Sequence, residues 1–151
     1  MSEEFVVDLD DEIEDLPSDL YLVEVDCVEF KHSAKGDPYI VITMHVCEGP
    51  YEGAGFQQWI GRSENLSYNI KKLNQKTLKS FISACLNGEP FEGPLRFVDS
   101  PDGKQKVAEE FAGMQLGAYL GTKNDNITLE RGGFVPASAV EDGDSDESPF
   151  G

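Results

Sequence analysis

Two stretches of alternating side chains, joined by a short turn, limit what this chain can fold into more than any other feature. Leu20 to Phe30 (LYLVEVDCVEF) alternates with period two, which puts Tyr21, Val23, Val25 and Cys27 on one face, expected to be the core. The other face is mixed, carrying Leu22, Glu24, Asp26, Val28 and Phe30. Lys31 to Pro38 (KHSAKGDP) is turn chemistry, with the reversal at Gly36-Asp37-Pro38. Tyr39 to Cys47 (YIVITMHVC) then runs as a β-branched strand, with Ile40, Ile42, Met44 and Val46 on one side and Tyr39, Val41, Thr43 and His45 on the other. A Gly/Pro-rich link, Glu48 to Gly55, leads to a third short strand from Phe56 to Gly61. Three successive strands joined in this way make an antiparallel meander.

After Arg62 the period changes. Leu78, Phe81, Ile82 and Cys85 recur at helical spacing, so an amphipathic helix is expected from about Asn74 to Leu86, with Asn74 as its N-cap and Asn87-Gly88 as its stop. Ser100-Pro101-Asp102-Gly103 marks a further hairpin between Arg96–Val98 and Lys104–Val107. Leu116, Ala118 and Leu120 alternate in a later strand, Lys123 to Asn126 forms a turn, and Ile127 to Arg131 is the last strand. Strands before and after a single helix point to a mainly β fold, a small five-stranded barrel with one amphipathic helix and an additional hairpin. The expected organisation is an acidic segment over residues 1–19, one β domain over 20–136, and a disordered acidic tail over 137–151.

Charge separates the ends from the middle. The formal net charge is −17, yet Met1 to Leu20 holds nine Asp/Glu with no Lys/Arg, and Glu141 to Gly151 (EDGDSDESPFG) holds five more. Without those fourteen acids, fifteen face twelve bases, and Tyr21 to Val140 is nearly neutral. The tail has too little apolar surface to offset the entropy of ordering, so it suits recognition by a partner or simple solubilisation. Cys27, Cys47 and Cys85 are odd in number and widely spaced, as expected of reduced, buried packing residues in a cytoplasmic protein. With His32 and His45 they show no metal-ligand spacing, so no metal and no cofactor are expected. No apolar run approaches the roughly 18 residues of a membrane span. Phosphate-loop, GxSxG and His/Cys signatures are missing, and no catalytic residue is assigned; the chain is not expected to be an enzyme.

Single-stranded nucleic acid is bound by aromatic platforms for bases beside cations for phosphates. This sequence places Tyr39 and Trp59 near Lys31, Lys35 and Arg62, and Trp59 falls on the side of its strand opposite Phe56 and Ile60. Lys72, Lys76 and Lys79 share one helix face if the helix extends back to Lys72. For each aromatic the alternative is packing in the core or at a sheet edge. The rival for the whole chain is an acidic adaptor or DNA mimic that does not bind DNA.

Taken together, VDLDDEIEDLP, LYLVEVDCVEFKHSAKGDPYIVITMHV, EGPYEGAGFQQWIG, KSFISACLNG, FAGMQLGAYLGT and GGFVPAS span most of the chain. In their apolar, Gly and aromatic positions they resemble bacteriophage single-stranded DNA-binding proteins built on an oligonucleotide-binding (OB) barrel. The resemblance implies sequence-nonspecific single-stranded DNA binding in phage DNA replication or recombination, in the cytoplasm of the host cell. It also implies recruitment of replication or recombination proteins by an acidic tail closed by Pro-Phe, here Asp144, Asp146, Glu147, Pro149 and Phe150, which competes with DNA for the basic groove. In this chain Gly151 follows Phe150, which displaces the terminal carboxylate from the ring. Homo-oligomerisation is left open.

Overall fold

The computed structural model describes residues 14–140; the acidic tail residues from Glu141 onward, and the first thirteen residues, lie outside them. Among the described residues the chain is mainly β, with seven strands and one long helix: β1 Asp19–His32, β2 Pro38–Val46, β3 Gly55–Gly61, α1 Tyr68–Cys85, β4 Val98–Asp99, β5 Lys106–Val107, β6 Gln115–Lys123 and β7 Asn126–Pro136. A short 3-10 turn, Glu109–Phe111, precedes β6.

All ladders are antiparallel, and β1 is their hub. One edge of β1 pairs with β2, which pairs in turn with β3. The opposite edge is shared: Asp19–Glu24 pair with β6, whereas Glu29 and Phe30 pair with β5 of the β4–β5 hairpin. The main path therefore runs β3-β2-β1-β6-β7. Its two end strands, β3 and β7, approach each other without sharing a ladder, so the sheet is open at this seam. Helix side chains join the two edges instead. Phe81 packs edge-on against Phe134 of β7 at 5.5 Å, and Asn74 Nδ2 donates to the Gly61 carbonyl of β3 at 3.0 Å.

A bulge decides which residues of β1 enter the core. The β1–β2 register steps from Val25↔Met44 to Cys27↔Thr43, which leaves Asp26 without a partner position. One extra residue moves every later side chain to the opposite face. Val23 and Val25 are buried as expected, but beyond the bulge Val28 is buried in place of Cys27, and Cys27 is only half-buried. On β2 the side carrying Ile40, Ile42, Met44 and Val46 is the one buried in the core, joined from β6 by Leu116, Ala118 and Leu120, and Val41 on the other side is buried as well.

The helix begins earlier than its apolar pattern indicates. Ser67 is the N-cap, its Oγ accepting from the Ile70 amide at 3.3 Å, a contact worth about 1 kcal/mol. Asn74, the expected cap, sits inside the helix. The first turns carry no apolar stripe because Tyr68, Ile70 and Leu73 are all exposed, and only from Leu78 does the helix bury apolar side chains, those of Leu78, Phe81 and Ala84. Asn87 and Gly88 end it at positive φ, with the Gly88 amide bonded to the Ser83 carbonyl at 2.8 Å.

β7 runs five residues past the expected Arg131. Its register against β6 shifts between Ala118 and Leu120, and Gly132, at φ +107, lies where a Cβ would come within 2.6 Å of the Tyr119 ring. Order extends beyond the boundaries expected for the domain. Leu16 is buried, its carbonyl accepting from Thr122 Oγ1 at 2.9 Å, and Tyr21 OH donates to the Pro17 carbonyl at 2.6 Å. At the other end residues 137–140 are helical and Val140 is buried, packed where Gly117 has no side chain.

Candidate functional site

The outward face of β1, β2 and β3 is built in rows set by the registers. Cys27, Thr43 and Gln57 form one row; Glu29, Val41 and Trp59 form the next; Lys31, Tyr39 and Gly61 form the third. Trp59 stays 60% exposed although it is the largest side chain of its strand. Its ring stacks on Tyr39, one residue row away on the neighbouring strand, with centroids 5.0 Å apart and planes inclined by 11°. Gln57 holds the indole from behind, its Oε1 accepting from Trp59 Nε1 at 3.2 Å while its own Nε2 donates to Thr43 Oγ1 at 3.3 Å. The result is a pre-ordered aromatic pair in which Trp59 is largely open to solvent and Tyr39 is half-buried.

Of the cations expected here, Lys31 shares the face of this pair and Arg62 does not. Lys31 shares the Tyr39 row on β1. Arg62 follows β3 directly; its amide donates to the Pro38 carbonyl at 2.9 Å, but its guanidinium Nη1 donates to Gln75 Oε1 of α1 at 2.8 Å, so the side chain bridges sheet and helix on the Ile40 and Leu78 side and is not brought to the Trp59 face. Lys35 is exposed in the β1–β2 turn, which the Gly36 amide closes onto the Ser33 carbonyl at 2.8 Å.

Lys72, Lys76 and Lys79 all lie within α1, since the helix starts at Tyr68, and all are exposed. They do not converge on one point. Lys79 and Arg62 line a cleft of about 710 Å³ between α1 and the 88–97 loop, floored by Phe30, Ile40 and Leu78. Lys76 lines a different cleft, about 670 Å³, with Arg131 across the β3–β7 seam. Lys72 lies over the Tyr68 ring, 5.9 Å from its centroid. The tail residues Asp144, Asp146, Glu147, Pro149 and Phe150 lie outside the described residues.

Sequence reasoning did not place Glu29 in this face. The alternation of β1 puts it with the expected core residues, and only the Asp26 bulge turns it toward the Trp59 row. It is nevertheless buried, 7% exposed, and its Oε1 receives Cys27 Sγ at 3.5 Å and lies 3.9 Å from Lys31 Nζ. Asp26, in the bulge, takes His45 Nδ1 at 2.8 Å. Gln57, the brace of the indole, was also missed; a Gln two residues before a Trp is too common a pattern to single out.

The three thiols are free and half-buried, not fully buried as expected, and partial burial raises the pKa of each, that of Cys85 to about 12. Neutral thiols are poor nucleophiles and poor metal ligands. Among the described residues no three His, Cys, Asp or Glu side chains are grouped to hold a metal ion, and no helix is long and apolar enough to cross a membrane.

No protein-family model and no curated protein matches this chain.

Proposed function

We propose that this protein is a non-enzymatic, sequence-nonspecific single-stranded DNA-binding protein of a bacteriophage, acting in DNA replication or recombination in the host cytoplasm. The observation that carries the reading is the stack of the exposed Trp59 ring on the half-buried Tyr39 ring, braced by Gln57, with Lys31 in the Tyr39 row. A large apolar ring held in water, in parallel contact with a second ring, has no packing role that a smaller residue would not fill. Every base has a π-face, so such a platform takes single strands of any sequence while nearby cations neutralise phosphates. Duplex bases are already stacked on each other and cannot use it.

The fold supports the same reading. A path of β3-β2-β1-β6-β7 with the helix between β3 and the later strands is the order of an OB barrel, in which the two end strands close the ring. On this proposal the β3–β7 seam is the closure, joined through α1, and DNA crosses the face of β1, β2 and β3. The acidic tail recruits replication or recombination proteins and competes with DNA for the cations.

Trp59 is the sole tryptophan, so its fluorescence reports the platform directly. Titration with oligo-dT is expected to quench it, and duplex of the same length to leave it unchanged. With about four cations on phosphates, log affinity falls with log salt at a slope near −3. Absence of quenching together with absence of a mobility shift would replace this reading with that of an acidic adaptor that does not bind DNA.

A further inference from the structure

We propose that Glu29 grades single-strand binding by base, accepting the exocyclic amino group of a nucleobase stacked on Tyr39 so that cytosine is held more tightly than thymine. The inference rests on the single-strand reading above and adds a base preference to it.

The starting observation is an orphaned carboxylate oxygen. Glu29 Oε2 is buried and has no hydrogen-bond partner among the described residues, while Oε1 has only a thiol at 3.5 Å and an ammonium at 3.9 Å. A buried acceptor without a donor has lost its hydration and gained nothing for it, and such a group marks the place of a missing donor. A metal ion is a poor candidate. Lys31 stands beside the carboxylate, and no group of three ligating side chains is present among the described residues. A neutral N–H donor meets neither objection.

Register says where that donor comes from. The Tyr39 and Trp59 rings are 5.0 Å apart and nearly parallel, about the spacing between neighbouring strands, so they stand side by side over β2 and β3. The next place in the same stack, on the Tyr39 side, falls over β1. There Lys31 is the direct partner of Tyr39, and Glu29 lies one row along, opposite Val41. Glu29 and Lys31 also line a cleft of about 190 Å³ together with Lys104 and Lys106 of the β4–β5 hairpin, which puts cations beside the position for the phosphate of the same nucleotide. Lys106 is held toward β4 by Asp99 at 2.6 Å.

Base chemistry sets the direction of the preference. Cytosine turns an amino group outward, and a carboxylate is its natural acceptor. Thymine carries a carbonyl at the equivalent position, which meets a carboxylate with like partial charge, and its one ring N–H is flanked by two carbonyls.

The test compares labelled oligo-dC and oligo-dT of about twelve nucleotides, within the range covered by one such domain, by fluorescence polarisation at fixed salt and near-neutral pH. In the native chain dC is expected to bind about tenfold more tightly than dT, the size of one hydrogen bond to a charged group. Glu29→Gln keeps the shape but offers an amide that also donates to a carbonyl, so the ratio should fall to about one or invert. Equal affinities in the native chain overturn the inference and leave single-strand binding standing. A dC preference that survives Glu29→Gln in a variant with native circular dichroism overturns it as well. If neither oligonucleotide binds, the single-strand reading falls and the base preference falls with it. Should Glu29→Gln fail to fold, the native dC-to-dT ratio decides alone.

Discussion

Replacing Trp59 by alanine separates binding from folding more cleanly than any other change in this protein. The indole is 60% exposed, so truncation removes little buried surface; the main loss to stability is the contact with Tyr39, about 0.5–1.5 kcal/mol for an aromatic pair. For DNA the loss is larger. A base stacked on an aromatic side chain contributes about 1–3 kcal/mol, so affinity for oligo-dT should fall by about fivefold at the low end and a hundredfold at the high end. Because the alanine variant loses the fluorophore, the assay is polarisation of a labelled oligonucleotide across a series of salt concentrations. The salt slope should stay near its native value, since Lys31 and Arg62 are untouched and the slope counts phosphates. Trp59→Phe keeps a platform and should recover most of the affinity. Full affinity in Trp59→Ala, with its stability measured and intact, would refute the platform; a collapsed salt slope would show that the ring positions the cations instead of stacking on a base.

Phe81 is 1% exposed and packs between Phe111 at 5.8 Å and Phe134 at 5.5 Å, so Phe81→Ala should cost about 3–5 kcal/mol in chemical denaturation; a loss under about 1 kcal/mol would show that α1 is not docked through this cluster. Burial raises the Cys85 pKa to about 12, which keeps the group a neutral thiol at pH 8, so a thiol-reactive dye should label it much more slowly in the native state than in denaturant; equal rates in the two states would contradict that shift. Deleting Glu141 to Gly151 should tighten binding to oligo-dT at low salt and abolish recovery of partner proteins, whereas unchanged affinity and unchanged recovery would leave the tail a solubilising one.

Much of the architecture was legible because it rests on local rules. The three-strand meander, the division of β2 and β3 into two faces, the hairpin at Ser100–Gly103 and the stop at Asn87-Gly88 each follow from a period or a turn residue that acts over a few positions. Exposure of Trp59 opposite Phe56 and Ile60 is a consequence of the same period. The start of α1 was misread for a related reason: the apolar side chains of its first turns, Tyr68, Ile70 and Leu73, are exposed, so hydrophobic period is silent there and only the Ser67 cap marks the beginning.

Sequence alone thus determined most of the strands, their order along the chain and, where no bulge intervenes, which residues share a face, because alternation and turn chemistry are properties of neighbouring residues. Tertiary structure alone decided what stands beside what. The Asp26 bulge exchanges Cys27 for Val28 in the core and carries Glu29 to the Trp59 row; pairing across β2 brings Tyr39 and Trp59, twenty residues apart, into one stack; and packing of α1 sends Lys76 and Lys79 to different clefts. A bulge costs one residue of register and has no composition of its own in this strand, so it becomes visible only when a partner strand supplies the other half of the ladder.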